Sequence, residues 1–192
     1  MRFSELAGVL DGINRSSLVG RRVLAEDLIS AMPRRDRPGV AAILAGENLS
    51  GDRVQRDIVI RAISRASGYS RLQVEEILRE SAGLPAAAEV LLGKRRQLSF
   101  TKDAPTVHDV ISEVERITDP AANRRSILLH LTTLLSACEP SSARIVVAIC
   151  LGESPRYLAD SVLLDLVAEL DCRDPDGLRS RIGELGWRRG LE

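Results

Sequence analysis

The sequence predicts an all-α fold: a compact helical domain of about 10–12 helices with an internal pseudo-twofold duplication. Hydrophobic residues make up 44% of the 192 residues, whereas aromatic residues make up only 3%, a balance typical of soluble helical proteins. Apolar side chains recur with a helical period along nearly the whole chain. The stretch from Phe3 to about Ser64 also recurs, loosely but in order, from Val107 to about Ala168.

The internal copy is defined by three pairs of matching segments. These are 20–31 with the segment from 123 onward, 42–47 with 148–153, and 57–60 with 160–163. A period near one hundred residues exceeds the 20–50 residues of solenoid units, which indicates one duplicated domain. We place its half-repeats at about 3–98 and 105–172. Two interpretations stay open: the copies face a partner that has its own dyad, such as duplex nucleic acid, or they only enlarge a helical core.

The first three helices are predicted from two apolar faces and from proline and glycine signals. Pro33 and Pro38 close the second helix and open the third, which ends near Gly46. The apolar faces are Phe3, Leu6, Val9, Leu10 and Ile13 in the first helix, and Val23, Leu24, Leu28, Ile29 and Met32 in the second.

The rest of the first copy reads as three more helices after a polar loop. The loop over 47–52 precedes a long helix that ends at Gly68. Ser70 with Gln73 predicts a capping box for the next helix, and residues 86–92 predict one more.

The second copy follows a polar connector at 94–105 and begins again at Val107. One of its segments, 145–150, is rich in β-branched residues and could form a buried strand. Its counterpart in the first copy, 40–44, is rich in alanine, so we predict that both are helices. After residue 172 we expect a short helix and a basic tail (173–192), partly ordered at best, that contains Trp187.

Charge and cysteine content exclude several classes of function. The 27 basic and 27 acidic residues cancel, so a nucleic-acid role must depend on local patches. Of the 27 basic residues 25 are arginine, which suits phosphate binding but also fits a coding bias. Cys138, Cys150 and Cys172 lie in or beside apolar helical patterns, which predicts buried, reduced thiols. We expect no metal or other cofactor, no membrane partner and a cytoplasmic location.

The order of several further segments resembles a known family. They read IVIRAIS at 58–64, ASGYS at 66–70, GLPAAAEVLL at 83–92, KRRQ at 94–97 and PTVHDV at 105–110. In this order and spacing they resemble the N-terminal DNA-binding domain of archaeal and eukaryotic ATP-dependent DNA ligases. The resemblance covers roughly residues 3–170, and we therefore assign a ligase-type DNA-binding domain to residues 1–172.

The resemblance implies an all-helical domain that grips nicked duplex DNA across the minor groove, in DNA repair, replication or recombination. Each half supplies a loop and a helix start that bind the phosphate backbone without reading bases. By position these are 51–57 and 154–160. The candidate DNA-binding residues are Arg53, Gln55, Arg56, Arg61, Lys94, Arg95, Arg96, Arg156 and Tyr157.

Two features of this chain depart from the family pattern. Family members usually carry glycines in both loops, whereas this chain has Val54, Gln55 and Arg56 in one and Pro155, Arg156 and Tyr157 in the other. The Lys-x-Asp-Gly motif of nucleotide transfer is also absent, and no catalytic core fits after residue 170. We therefore expect that the chain does not ligate DNA alone and that a separate ligase catalytic chain is a possible partner.

Three hypotheses of function follow. The first is duplex DNA binding without sequence preference. The alternative is a helical protein-interaction scaffold that has lost its DNA surface, which zero net charge and the missing glycines favour. An enzyme in its own right has the least support, because the sequence shows no acid/base pair, nucleophile constellation or phosphate-cradling loop.

Overall fold

The computed structural model describes residues 1–47, 49, 53–94 and 104–191. Within these ranges the chain forms eleven α-helices and no strand, apart from an isolated antiparallel bridge between Arg2 and Thr106. The helices are α1 (Phe3–Arg15), α2 (Leu18–Ala31), α3 (Arg37–Ala45), α4 (Arg56–Ser67), α5 (Arg71–Glu80), α6 (Leu84–Gly93), α7 (Val107–Thr118), α8 (Arg124–Ala137), α9 (Pro140–Leu151), α10 (Asp160–Asp171) and α11 (Pro175–Leu191). The all-α prediction is confirmed, and the ambiguous segment 145–150 lies inside α9.

Most helix starts follow from side chains that the sequence places there. The predicted capping box of Ser70 with Gln73 is present at the start of α5, and Thr106 forms a second one at α7. Ser17 and Asn123 cap α2 and α8 with their side-chain oxygens. Each such cap satisfies a backbone N–H and is worth about 1 kcal/mol. Helices α3, α6 and α9 begin instead with proline in the first turn, which removes one unsatisfied donor.

The chain divides into two compact units, each of which combines segments from both sequence copies. Unit 1 contains Met1–Ala7 and Ser50–Glu153, and unit 2 contains Gly8–Leu49 and Ser154–Glu192. The chain changes units within α1, between Ala7 and Gly8, and again shortly after α3 and shortly after α9. The last two boundaries follow helices that match in the predicted repeat.

In unit 1, α6 packs against α9 and α4 packs against α8, while α7 contacts both α8 and α9. Helix α6 turns two large residues, Leu84 and Leu91, and two small ones, Ala87 and Ala88, away from solvent. Small residues let a neighbouring helix approach closely, and each fully buried leucine contributes about 1.5–3 kcal/mol. Helix α9 is buried over most of its length, which explains why its sequence lacks an amphipathic pattern.

In unit 2, α10 packs against α2 and α3, and α11 packs against α3 and α10. These contacts use equivalent helices of the repeat, since α10 on α2 corresponds to α4 on α8 in unit 1. Two ion pairs accompany the packing: Arg37 to Asp171 at 2.8 Å and Arg22 to Glu169 at 3.0 Å. The side chains of Arg37 and Asp171 are each about four-fifths buried, so the hydrogen bond between them is better shielded from water than the bond between Arg22 and Glu169.

The segment after residue 172 differs from the prediction of a short helix and a partly ordered basic tail. Helix α11 continues to Leu191 with a kink at Gly186, whose φ of 77° and ψ of 168° favour glycine. Trp187 is only 2% exposed, and its backbone N–H donates to Glu47 Oε2 at 2.8 Å. The prediction was wrong because burial of the large apolar ring of Trp187 stabilises this segment despite the charged residues beside it.

The three cysteines are free thiols, but their burial differs from the prediction. Cys138 and Cys150 are buried as expected, and burial raises the pKa of the Cys150 thiol to about 12, so it stays protonated at neutral pH. Cys172 is exposed instead, and it forms the left-handed end of α10 (φ 52°, ψ 41°). Among the described residues, no helix has the length and apolarity needed to span a bilayer.

Replacing Cys172 with glycine is expected to stabilise the protein. Cys172 is the only non-glycine residue with positive φ in the described part of the chain. Removing its Cβ relieves the clash of the left-handed conformation and should raise the free energy of unfolding by about 0.5–1 kcal/mol. Urea denaturation measures the gain. The Cys172→Ala variant is the control, because it removes the thiol but keeps the strain; an equal gain in both variants would refute the backbone explanation.

Candidate nucleic-acid interface

Helices α3 and α9 end in the same way, and this shared ending sets the course of the two candidate loops. Gly46 and Gly152 close them in the left-handed conformation, with φ of 72° and 67°. The next residue of each loop donates its N–H back into the helix, from Glu47 to Ala42 O at 2.9 Å and from Glu153 to Ala148 O at 2.8 Å. These bonds satisfy carbonyls in the last turn and fix the direction in which each loop leaves.

Each loop is then held a second time, just before the next helix begins. In unit 1 the N–H of Val54 donates to the carbonyl of Cys150 at 2.8 Å. In unit 2 the N–H groups of Tyr157 and Leu158 donate to the carbonyl of Leu44 at 3.0 and 3.2 Å. Cys150 and Leu44 occupy matching positions of the repeat, so the two anchors are equivalent. This equivalence supports the predicted internal copy.

The helices that follow the loops differ from the others at their starts. At both α4 and α10 the N-cap side chain, Gln55 or Ala159, makes no capping hydrogen bond, and neither helix has proline in its first turn. Backbone N–H groups of a first turn without a cap are available to an anion. Their first turns do carry acids, but Asp57 lies 3.8 Å from Arg61 and Asp160 lies 3.1 Å from Arg156.

In unit 1, a cleft of about 200 Å³ lies at the start of α4, between the loop and the first turn of α8. Arg53, Gln55 and Arg124 line it, and Nη2 of Arg124 donates to Oε1 of Gln55. All three side chains belong to exposed residues. Asp119 is the one carboxylate among the described residues of the lining, and it accepts the backbone N–H of Ala121 at 2.8 Å. The cleft therefore presents cationic and amide donors with little opposing charge.

Most candidate residues of unit 1 lie on the surface. Arg56 is exposed in the first turn of α4, Arg61 is exposed one turn later, and Lys94 is exposed at the end of α6. The two other members of that basic run, Arg95 and Arg96, lie outside the described residues. Arg53, Gln55 and Arg56 thus lie together at the start of α4.

The candidate residues of unit 2 have different environments. Arg156 is exposed and pairs with Asp160, whose other oxygen accepts the indole N–H of Trp187 at 3.4 Å. Tyr157 is only 3% exposed, so its ring is not presented to a ligand. Its backbone N–H holds the loop by donating to Leu44 O, which is a positioning role and differs from the DNA contact expected from the sequence.

Arg124 lines the cleft of unit 1, although it is not among the DNA-binding candidates named from the sequence. Arg124 and Arg125 form a pair of arginines at the start of α8. The matching pair in the first copy is Arg21 and Arg22, and both side chains have partners in unit 2. Arg21 donates to Ser16 O at 3.1 Å, and Arg22 pairs with Glu169. The repeat does not predict the contacts of Arg22 and Arg124, because their partners Glu169 and Gln55 are distant in sequence. Within the described ranges no group of three or more His, Cys, Asp or Glu is arranged to hold a metal ion.

Replacing Gly46 with alanine is expected to disturb the loop of unit 2 beyond the ordinary cost of a left-handed alanine. A Cβ at this position would lie 3.1 Å from the backbone N and Cα of Arg156 and from the carbonyl oxygen of Pro155. We expect a loss of about 2–3 kcal/mol in the free energy of unfolding, measured by chemical denaturation.

The matched control is Gly68→Ala, where φ is also left-handed (78°) but no atom lies within 4 Å of the added Cβ. That variant should lose only about 1–2 kcal/mol. If the two variants lose the same amount, the close approach of the Arg156 backbone does not constrain the loop.

Comparisons with known proteins agree with this architecture. A family model described as "DNA ligase N terminus" matches residues 2–168. A DNA ligase of Cenarchaeum symbiosum (strain A) is 25% identical over 179 residues, which are 88% of this chain and 30% of the relative. A DNA ligase of Nitrosopumilus maritimus (strain SCM1) is 28% identical over 117 residues, 60% of this chain and 20% of the relative.

The similarity covers only part of each relative. A DNA ligase of Archaeoglobus fulgidus is 26% identical over 122 residues, 62% of this chain and 22% of the relative. The chain thus spans less than a third of the length of each of these curated relatives. Because the family model matches most of its residues, the chain belongs to the DNA ligase N-terminus family.

Proposed function

We propose that this chain binds duplex DNA, nicked or intact, through the phosphate backbone across the minor groove and without reading base sequence. The observation that carries the proposal is the cleft of unit 1, where exposed Arg53, Gln55 and Arg124 surround the uncapped start of α4. Guanidinium groups bind phosphate oxygens with a planar fork, and free backbone N–H groups add donors that carry no sequence information. The family to which the chain belongs supports a role with DNA ligase.

The two loops are expected to contribute unequally. In unit 1 the partner of Arg124 is a neutral amide, so its full positive charge remains available to a phosphate. In unit 2 Arg156 is paired with Asp160, and Arg22 is paired with Glu169. A phosphate must compete with these carboxylates for the guanidinium groups. We therefore assign the larger share of DNA affinity to the loop of unit 1.

The names of the relatives also support a proposal about the cellular process in which the chain acts. The curated relatives are named DNA ligases, and the chain corresponds to less than a third of three of them. We propose that the chain holds DNA for a catalytic part that joins the strands, a separate ligase chain being one candidate, in repair, replication or recombination. A DNA partner also fits the cytoplasmic location expected from the sequence.

A protein-interaction scaffold is the second candidate, and one observation favours it. Leu18 and Val19, in the first turn of α2, are 82% and 76% exposed, and Val23 on the same helix is 51% exposed. Neighbouring exposed apolar residues of this size commonly mark contacts with another protein. This candidate predicts no salt-dependent DNA binding, so the next experiment separates the two.

The binding of a short duplex should be weak, insensitive to a nick, and strongly dependent on salt. We expect a dissociation constant in the micromolar range or weaker, which rises steeply with salt because each neutralised phosphate contributes a slope of about −0.9 to log K against log[salt]. Gel-shift titrations of nicked and intact duplex at two salt concentrations measure this. The absence of binding at low ionic strength, or association that is indifferent to salt, would favour the scaffold instead.

Charge reversal should reveal the inequality of the two loops. Arg53→Glu and Arg124→Glu should each weaken duplex binding about tenfold or more and reduce the salt slope by about 1, because each removes a phosphate contact. Arg156→Glu should have a smaller effect, because that guanidinium is already paired.

The matched control is Arg179→Glu, which makes the same change in net charge at an exposed residue of α11 that pairs with Asp176. Circular dichroism verifies that each variant is folded. An Arg179→Glu effect equal to that of Arg53→Glu would show that only net charge matters, and a dominant Arg156→Glu effect would reverse the assignment to unit 1.

A further inference from the structure

A small cavity in unit 2 has no role in the proposed duplex binding. It encloses about 140 Å³ and is bounded by the start of α3, the end of α10 and the last turn of α11. Aliphatic side chains, among them Ile29, Val167 and Leu191, form much of its wall.

Three arginines from separate places in the chain converge on this cavity. Arg34 comes from the loop between α2 and α3, Arg37 from the first turn of α3, and Arg173 from the residues after α10. Among the residues that the structure describes, the lining contains one carboxylate, Asp171. The three arginines and this carboxylate together carry a net charge of +2 around a space of about 140 Å³. Like charges held this close repel one another unless an anion lies between them.

Two of the three guanidinium groups are already fixed in position. Arg37 donates from Nε to Met32 O at 3.2 Å and from Nη1 to Asp171 Oδ1 at 2.8 Å. Arg173 donates from Nη1 to Leu191 O at 3.1 Å. A guanidinium has five N–H donors, so Arg37 and Arg173 each retain further donors for a ligand, although these hydrogen bonds already fix their orientation. A binding site built in this way loses little side-chain entropy when a ligand arrives.

A purely structural role accounts for only part of the cluster. Arg37 and Arg173 bond carbonyls at helix ends, which is a common use of arginine. Arg34 is different: it is exposed and makes no hydrogen bond or ion pair within the described part of the chain. Its charge therefore adds repulsion to the cluster without any compensating contact in the folded protein.

We propose that this cavity is a binding site for a single phosphate group. A phosphate dianion matches the net charge of the lining, and its oxygens suit the forked donors of several arginines. The volume admits one phosphate but no base pair, so the ligand is inorganic phosphate or the terminal phosphomonoester of a nucleotide or a DNA strand. The site lies in unit 2 and uses none of the residues assigned to duplex binding, so either proposal can fail while the other stands.

The first test titrates the protein with inorganic phosphate in a phosphate-free buffer and follows thermal stability and the arginine side-chain signals by NMR. Saturable binding that raises the melting temperature is expected, because a ligand that binds only the folded state stabilises it. Acetate at the same ionic strength should bind about tenfold more weakly, since it carries one negative charge instead of two. Equal responses to acetate and phosphate would overturn the assignment of a dianion site.

Two further comparisons identify the source of the phosphate. A nucleoside 5′-monophosphate is compared with the corresponding nucleoside, and a 5′-phosphorylated single strand with its unphosphorylated form. Preference for the phosphorylated strand assigns the site to DNA ends, whereas equal affinity for inorganic phosphate and the nucleotide assigns it to free phosphate. Absence of any effect of phosphorylation, together with no response to inorganic phosphate, would refute the proposal.

Variants at exposed positions locate the binding without endangering the fold. Arg34→Gln and Arg173→Gln should each weaken phosphate binding about tenfold, since each loses a charge-assisted contact. Arg35→Gln is the matched control, because Arg35 adjoins Arg34 and is 70% exposed but does not line the cavity. It should change the affinity less than twofold, and so should Arg124→Glu in unit 1. An Arg35→Gln effect equal to that of Arg34→Gln would show that phosphate binds the surface diffusely.

Discussion

The arrangement of both candidate loops depends on one constraint: a backbone N–H from each loop must reach a carbonyl in the last turn of a helix from the other sequence copy. Val54 meets Cys150 in unit 1, and Tyr157 with Leu158 meets Leu44 in unit 2. These bonds satisfy buried peptide groups, which cost about 1–3 kcal/mol each when they are left without a partner. The helices that supply the two carbonyls, α3 and α9, each end at a left-handed glycine, Gly46 and Gly152. Loop position is therefore set by the backbone, and the exposed side chains are free to vary in chemistry.

Because the exposed side chains can vary, the two equivalent loops differ in the charge that they present. The anchoring hydrogen bonds are equivalent in both units. Arg124, beside the start of α4, pairs with the amide of Gln55, whereas Arg156, beside the start of α10, pairs with the carboxylate of Asp160. The family resemblance leads us to expect glycines in these loops, whereas this chain has larger residues there. The anchoring bonds show how such residues are tolerated: Val54 and Tyr157 turn their side chains into the protein, while Arg53 and Arg156 face solvent.

The sequence predicted those features that depend on neighbouring residues. Proline, glycine and capping signals located the helix boundaries, and the comparison of copies resolved the helical state of α9 despite its β-branched residues. It could not predict pairings between distant segments. The burial of Trp187 depends on Glu47 and Asp160, and the availability of Arg124 depends on the neutrality of Gln55. In each case the deciding partner is far away in the chain, where periodicity carries no information.

The interleaving of the two copies has a consequence for how the protein folds during synthesis. Unit 2 joins Gly8–Leu49 to Ser154–Glu192, so its first helices leave the ribosome long before α10 and α11 exist. Until then α2 and α3 lack the helices against which they pack, and the apolar residues of α3 must stay exposed or find transient neighbours. Contacts over such sequence separations slow folding, because the intervening loop must be closed first. Because of this exchange of partners, unit 2 can be completed only after α10 and α11 have been synthesised, a dependence that two tandem, self-contained copies would not have.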